Sequence, residues 1–268
     1  VRFFMEIVVV RGGGDIASGT IHRLHRAGFG VIVLEIENPS AIRRKAAFCE
    51  AVFDGAVELE GVVCQRAADI EDAMAIIKSG RVALLIDENG ASIEKIKPRY
   101  LVDGILAKRN CGTKMSQAEF TVALGPGFTA GRDVSCVVET MRGHNLGRLI
   151  YDGCAMANTG VPGAIAGYAK ERVIHAPASG IMENIAEIGD IVKKSEAIAR
   201  IGDTDVLATL NGVLRGIIRN GYAVEKGLKI ADIDPRESEQ KNCYTISDKA
   251  RCIAGGVLEA IMAHGAGR

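Results

Sequence analysis

The chain has 268 residues, 48% hydrophobic, with 32 Gly and no Trp, and its 33 Lys plus Arg balance 33 Asp plus Glu. That length suits one large or two modest domains with a sizeable core, and so much glycine implies more tight turns than a helix bundle needs. Zero net charge removes any general drive toward nucleic acid or an anionic membrane, so neither is expected as a partner.

The opening VRFFMEIVVV is too short to span a bilayer and lacks a signal-peptide cleavage pattern, so a cytoplasmic location is expected. A strand over 6–10 then runs into Gly12-Gly13-Gly14. Asp15 caps a helix whose apolar residues Ile16, Ile21, Leu24 and Ala27 recur at helical spacing. Gly28 ends it, and 30–34 forms a second strand. Strand, glycine turn, helix, strand is one βαβ unit. The spacing Gly12-x-Gly14-x-x-Ala17, with Glu35 closing the second strand, matches a dinucleotide-binding fingerprint. Glycines there admit a phosphate to the backbone and the helix start offers unpaired N–H groups. Glu35 would hold a ribose hydroxyl pair. Asp15 is atypical, because it puts a negative charge beside the phosphate site. A purely structural corner is the competing explanation.

Arg43, Arg44 and Lys45 suit either a phosphate or acidic partner, or a solvated helix face. A strand within 57–64, a helix over 67–78 and a strand over 81–86 continue the α/β pattern, with Asp87 at a strand end where ligands sit or as a turn residue. A buried or half-buried Asp103 near Lys108, Arg109 and Asn110 is a plausible acid, metal or phosphate-positioning set, or else a capped turn. A strand over 120–124 feeds the loop Gly125-Pro126-Gly127, a second glycine site for a ligand, without the Lys-Ser/Thr of an ATP-binding loop. Asp133 caps or contacts a ligand. Glu139, Arg142, His144 and Asn145 crowd one polar stretch. His144, Asp103 and Asp133 are the candidate proton-transfer groups, though His144 serves equally well as a structural residue. Asn158, Thr159, Gly160 and Gly163 form a further polar loop, and Cys154 has no neighbouring His to activate it. The seven Cys are widely spaced without a CxxC, so no metal site is expected.

The stretch 176–201 repeats at 208–233 with an offset of 32 residues. Gly180 matches Gly212, Gly189 matches Gly221, Val192 matches Val224, Ser195 matches Gly227 and Ile198 matches Ile230. This pattern resembles a lipoyl- or biotinyl-type barrel-sandwich hybrid domain. The segment 202–207 between the copies has no Lys, so no covalent biotin or lipoate is expected. Asp232, Asp234 and Arg236 face a ligand or finish a linker. Ser247 caps a terminal helix with Ile253, Val257, Leu258 and Ile261 on its apolar face, weakened by Gly255 and Gly256.

The fold class is therefore α/β. A Rossmann-like nucleotide-binding part (1–103) precedes a glycine-rich middle region (104–172). A β-rich barrel-sandwich hybrid-like domain (173–234) and a linker with a helix (235–268) complete it. RGGGDIASG, AIRRKAAFCEAVFDG, LAKRN, ALGPGFTAGRDV, ETMRGHNLG, NTGVPG, DIDPR and SDKARCIAGGVLEAI occur in this order. With these motifs the chain resembles the accessory proteins of selenium-dependent molybdenum hydroxylases, and its first part resembles xanthine dehydrogenase accessory factors. The resemblance implies a maturation role, a molybdenum hydroxylase partner and an NAD-like or molybdopterin dinucleotide ligand. Two other readings stand beside it, a nucleotide-dependent oxidoreductase and a non-catalytic docking protein, with self-association covering sheet edges.

Overall fold

The computed structural model describes residues 5–160, 163 and 165–267, so part of the VRFFMEIVVV start, and Val161, Pro162 and Ala164 around NTGVPG, lie outside the described residues. The architecture is mixed α/β with a large central sheet, and the chain divides into two compact units. One comprises Val1–Pro39, Ala47–Asn158 and Ile246–Arg268; the other comprises Ser40–Ala46 and Thr159–Thr245.

The first unit begins with β1 (Ile7–Arg11), α1 (Asp15–Arg26) and β2 (Gly30–Glu35). A short α2 (Ala51–Asp54) leads to the hairpin β3 (Ala56–Leu59) and β4 (Val62–Arg66). The hairpin replaces the single strand expected over 57–64, because Glu60 and Gly61 both take positive φ and turn the chain back. Then come α3 (Ile70–Lys78), β5 (Val82–Ile86), α4 (Ile93–Ile96), β6 (Tyr100–Asp103) and β7 (Phe120–Leu124). Short strands β8 (Thr129–Ala130), β9 (Cys136–Val138), β10 (Leu149–Ile150) and β11 (Gly153–Cys154) follow, and α5 (Asp248–Gly265) returns to this unit at the end of the chain.

The nine-stranded order is β10-β9-β7-β6-β1-β2-β5-β4-β3. The strands from β9 through β4 pair in parallel, and β10 and β3 add antiparallel edges. Parallel strands buried on both faces explain the unbroken run Val8-Val9-Val10. Val8 and Val10 face one core with α1, α2 and α5; Val9 faces the other with α3 and Ile93 of α4. From β1 the chain crosses through α1 to β2 on one side. From β5 it crosses back to β6 on the other. The carboxyl end of β1 is thus a switch point, where crevices open in α/β sheets.

Ser247 caps α5 by accepting from the Ala250 amide. Gly256 is required by packing, since a Cβ there would lie 2.3 Å from the Gly147 carbonyl oxygen. Gly19 of α1 similarly meets Ala250 of α5. Among the described residues, no helix is long and apolar enough to cross a membrane.

The second unit holds β12 (Val173–His175), β13 (Gly180–Asn184), β14 (Ile191–Val192), β15 (Ala197–Ile201), β16 (Thr204–Leu207), β17 (Gly212–Ile217), β18 (Ala223–Val224) and β19 (Lys229–Asp234). They form two four-stranded sheets, β12-β19-β17-β14 and β16-β15-β13-β18. The 32-residue offset carries β13, β14 and β15 onto β17, β18 and β19, and also carries β12 onto β16. Each copy lends its middle strand to the other: β18 pairs with β13 and β14 with β17. The turns match as well. Gly189 donates to the Leu214 carbonyl and Gly221 to that of Met182. Gly180 and Gly212 share φ of +154° and +152°, and Ser195 and Gly227 share +71° and +88°.

Ser195 is therefore an L residue in a left-handed turn that its counterpart fills with glycine. Ser195→Gly should raise stability by up to about 1 kcal/mol, while Gly227→Ala should cost about 1–2 kcal/mol. Urea unfolding midpoints of the two variants check this; equal, small shifts would refute the equivalence of the turns.

Candidate functional site

The carboxyl edge of the large sheet gathers four loops around β1. The Gly12-Gly13-Gly14 turn leaves β1 with Gly12 at φ +88°, where a Cβ would lie 3.0 Å from Ile105 Cα. Gly13 is clamped. Its carbonyl accepts from the Cys49 amide at 2.9 Å and from Ser18 Oγ at 3.0 Å, while its amide donates to Glu35 Oε2 at 2.7 Å. Ser18 Oγ in turn accepts from the Phe48 amide. Gly14 differs from both: at φ −64° and ψ 174° it precedes α1 without a side-chain cap, and a Cβ there would meet nothing within 4 Å. The helix start is open at this one residue.

Glu35 stands where a ribose contact was expected, but its carboxylate is folded onto the turn, accepting from Gly13 and, at 2.8 Å, from the Ile36 amide. Burial pushes its pKa up, and these two amides only partly offset that. Asp15 sits in the first turn of α1. Lys249, in the first turn of α5, carries an ammonium whose pKa burial and the Arg142 charge push down, against the opposing charges of Asp15, Glu139 and Asp248.

Beneath the turn lies a buried polar network. Arg11, only 2% exposed, donates to Thr113 Oγ1 at 2.7 Å and to the carbonyls of Glu88 and Cys111, both at 3.2 Å. Thr113 Oγ1 donates to Asp103 Oδ2 at 2.5 Å, and Asp103 lies 4.0 Å from the guanidinium. Burial pushes the Asp103 carboxyl up, opposed by Thr113, the Ile105 amide and Arg11. Asp103 is thus a buried member of this network, held by Thr113 and beside Arg11.

The other expected residues are also accounted for. Asp133 accepts from the Thr129 amide and pairs with Arg132, holding the β8–β9 turn. His144 is exposed in the turn between β9 and β10. Gly125 and Gly127 are packing glycines: a Cβ would lie 2.4 Å from Thr140 Oγ1 at the first and 2.6 Å from the Arg109 amide nitrogen at the second. Asp87 caps the turn after β5 through Ala91 and Ser92. Glu139 is buried and ties the loop after β9 to Met156, accepting from the Met141 and Met156 amides. Arg43 and Arg44 are not on a solvated helix face; they donate to the carbonyls of Asn242, Thr245 and Ile217 within the second unit. Asp232 pairs with Arg172 and Arg215, and Asp234 with Arg236, so these carboxylates close strand ends. Among the described residues, no group of three or more His, Cys, Asp or Glu side chains converges as a metal ion would require.

Three isoleucines follow or end strands along the same edge. Ile36 after β2, Ile86 ending β5 and Ile105 after β6 are 36%, 37% and 37% exposed. Beside β5, a cleft of roughly 520 Å³ is lined by Ile70, Leu85, Ile86, Asp87, Ala91 and Lys95. The Asp87 amide donates to the Glu35 carbonyl, so this cleft borders the end of β2. The edge therefore combines an open helix start with an apolar surface. Sequence reasoning missed Arg11 and Lys249. The signal for Arg11 was a charge at the fifth position of a strand otherwise buried on both faces.

No family model matches the chain. It is 50% identical over 257 residues to the Escherichia coli K12 protein called uncharacterized protein YqeB, covering 96% of this chain and 47% of that one. The chain thus spans about half the length of the curated relative it matches. Among solved structures, it is matched by the product-bound ectoine utilization protein EutE (DoeB) of Ruegeria pomeroyi at 10% identity and TM-score 0.27, covering 85% of each chain. A succinylglutamate desuccinylase/aspartoacylase from Rhodobacter sphaeroides matches at 13% and 0.26, again over 85% of each. At these scores neither likeness carries an argument about this chain.

The comparisons overturn the expected membership of the selenium-dependent molybdenum hydroxylase accessory family. No family model matches the chain, and the sequence relative's name carries no such role. The maturation role and the molybdenum hydroxylase partner are withdrawn with it, as are the oxidoreductase and docking alternatives, for which no independent support emerges.

The raised pKa of Glu35 has a consequence for stability. A carboxyl that holds its proton more tightly when folded contributes stability below its ordinary pKa of about 4.3, lost as pH rises through the folded value. Wild-type stability minus that of Glu35→Gln should therefore decline with pH above the ordinary glutamate range. Urea unfolding across this range tests it, and parallel curves would refute it.

Proposed function

We propose that the first unit is a Rossmann-like module that binds a pyrophosphate-bearing ligand, such as an NAD-like dinucleotide, at the carboxyl edge of its sheet. The observation that carries this reading is the open, uncapped start of α1 at Gly14, set at the switch point between β2 and β6. A phosphate there would accept from backbone amides of the first helical turn and gain from the helix field. The cleft bounded by Ile70 and Ile86 offers apolar contact for a base, on the side of the turn where β2 ends. Glu35 would turn from Gly13 to a ribose hydroxyl pair as the ligand enters. A molybdopterin dinucleotide shares the pyrophosphate and belongs in the same binding panel.

The two outer glycines of the turn separate binding from folding. Gly14→Ala adopts a backbone conformation open to any residue, so stability should change by no more than about 0.5 kcal/mol. The methyl group would stand in the phosphate position, and NAD affinity should fall roughly tenfold or more. Gly12→Ala, at positive φ and against Ile105, should instead cost about 1–2 kcal/mol of stability. Calorimetric titration together with thermal unfolding measures both; undiminished NAD binding by Gly14→Ala would defeat the assignment.

We read the second unit as a barrel-sandwich hybrid-like fold that carries no covalent cofactor. The support is the exchange of middle strands between its copies and a β15–β16 hairpin whose tip is Gly202-Asp203. Intact mass of protein purified from cells should equal the sequence mass, and a lipoyl or biotinyl increment would overturn this.

A further inference from the structure

We propose that the cleft between α1 and α5 is a second ligand site. It takes a small organic phosphate or carboxylate whose anionic group meets Arg23 and Arg26 and whose apolar body lies on Ile246 and Leu258. The cleft holds roughly 330 Å³, at the small end of ligand pockets. Its walls bring His22, Arg23, Arg26 and Arg251 together with Ile246 and Leu258, and among the described residues no carboxylate lines it. All six belong to the first unit. The cleft follows α1 from Gly19 to the end of the helix, whereas Gly14 precedes its first turn, so the inference stands apart from the binding reading above.

Helical spacing builds the cleft. Gly19, His22, Arg23, Arg26 and Ala27 fall three and four residues apart, on one face of α1. At Gly19 this face touches α5, since a Cβ there would lie 2.8 Å from both the Cβ and the carbonyl oxygen of Ala250. Beyond that contact one side of α5 carries Arg251, Gly255 and Leu258, again at spacings of four and three. Packing does not demand glycine at 255. A Cβ there would meet nothing within 4 Å, whereas the adjacent Gly256 is pressed against the Gly147 carbonyl. Glycine inside a helix costs about 0.8–1 kcal/mol relative to alanine. The chain forgoes that stability at a position between two residues that line the cleft.

The charges are not engaged elsewhere. Among the described residues, Arg23 and Arg26 form no hydrogen bond or ion pair. Two guanidiniums in a last turn could serve to offset the negative end of the helix field. Here the Arg23, Leu24 and His25 carbonyls already accept from the amides of Ala27, Gly28 and Phe29. Arg251 is held in place: it donates to Glu60 Oε2 at 2.5 Å, and Glu60 Oε1 accepts from the Ile246 amide at 2.8 Å. His22 Nε2 stands 3.3 Å from the Glu60 carbonyl oxygen. Glu60 thus offsets one of the three guanidiniums and leaves those of Arg23 and Arg26 uncompensated. A cleft lined by one sign of charge concentrates ligands of the other. Guanidinium forks match the paired oxygens of phosphate and carboxylate.

The test titrates phenyl phosphate, benzoate, inorganic phosphate and benzyl alcohol into the full chain by calorimetry. Phenyl phosphate or benzoate should bind, the tighter of the two naming the anionic group. Inorganic phosphate should bind roughly tenfold more weakly than phenyl phosphate, and benzyl alcohol should not bind. An Arg23→Gln/Arg26→Gln double variant keeps good helix formers at surface-accessible positions. It should fold as the wild type does and lose roughly tenfold or more in affinity for the anionic probes. Gly255→Leu keeps every cation, strengthens the helix and fills the space beside Leu258, so it should lose binding as well. Gly14→Ala should bind the probes as the wild type does. Binding of neither phenyl phosphate nor benzoate at about 10 mM would overturn the site. So would undiminished binding in the double variant or in Gly255→Leu, or loss of binding in Gly14→Ala. Inorganic phosphate binding as tightly as phenyl phosphate would overturn the apolar half of the assignment.

Discussion

The first unit depends on a buried guanidinium. Arg11 ends a strand of valines and is taken almost wholly from water, a position that costs several kcal/mol unless the charge is satisfied. Satisfaction comes from two loops: the Glu88 carbonyl after β5, and after β6 the Cys111 carbonyl and Thr113, which passes the contact on to Asp103. Asp103 is the register partner of Arg11 on the adjacent strand. The loops after β5 and β6 are thus tied to the end of β1, which gives the turn above it a defined floor.

That floor explains the division of labour within the glycine turn. Gly12 and Gly13 are consumed by structure, one by close approach to the 104–105 backbone and the other by Glu35, Ser18 and Cys49. Only Gly14 is left facing open space. A turn designed solely as a corner would gain from a Ser, Asp or Asn at this N-cap position, which would satisfy a helix amide. Glycine forgoes that stabilisation and leaves the amides to whatever approaches from outside.

The second unit is governed by a different constraint. Two short copies, each too small to bury its own apolar face, exchange middle strands and share one core. Its charged residues follow from this closure. Asp232 and Asp234 sit at the end of the last strand, where Arg172, Arg215 and Arg236 cover them. Gly212, in the first strand of the second copy, lies so close to the Asp234 carbonyl oxygen that a Cβ would come within 2.2 Å of it.

Much of this was legible in local patterns. Hydrophobic period, glycine punctuation and the Ser247 cap place β1, α1, β2, α3, β5, β7 and α5 within a few residues of where they lie, because each signal acts over one or two turns of chain. The 32-residue offset located paired turns for the same reason: a left-handed φ selects glycine wherever it recurs. Partners far apart in sequence were not legible. Asp103 read as a buried or half-buried acid beside Lys108 and Arg109, because nothing nearby announces Arg11, whose contact with Thr113 spans 102 residues. The hydrogen bond that Glu35 accepts from the Gly13 amide was not legible either, because that amide carries no side chain to signal it. Gly125 and Gly127 read as a ligand loop, although what demands them is Thr140 and the 108–109 backbone. The sequence by itself determined which segments become strands, helices and tight turns, since those choices rest on local backbone and side-chain energetics. Tertiary structure alone decided which glycines are packed and which is open, and which charges are buried, because those depend on surfaces that meet only when the sheet is assembled.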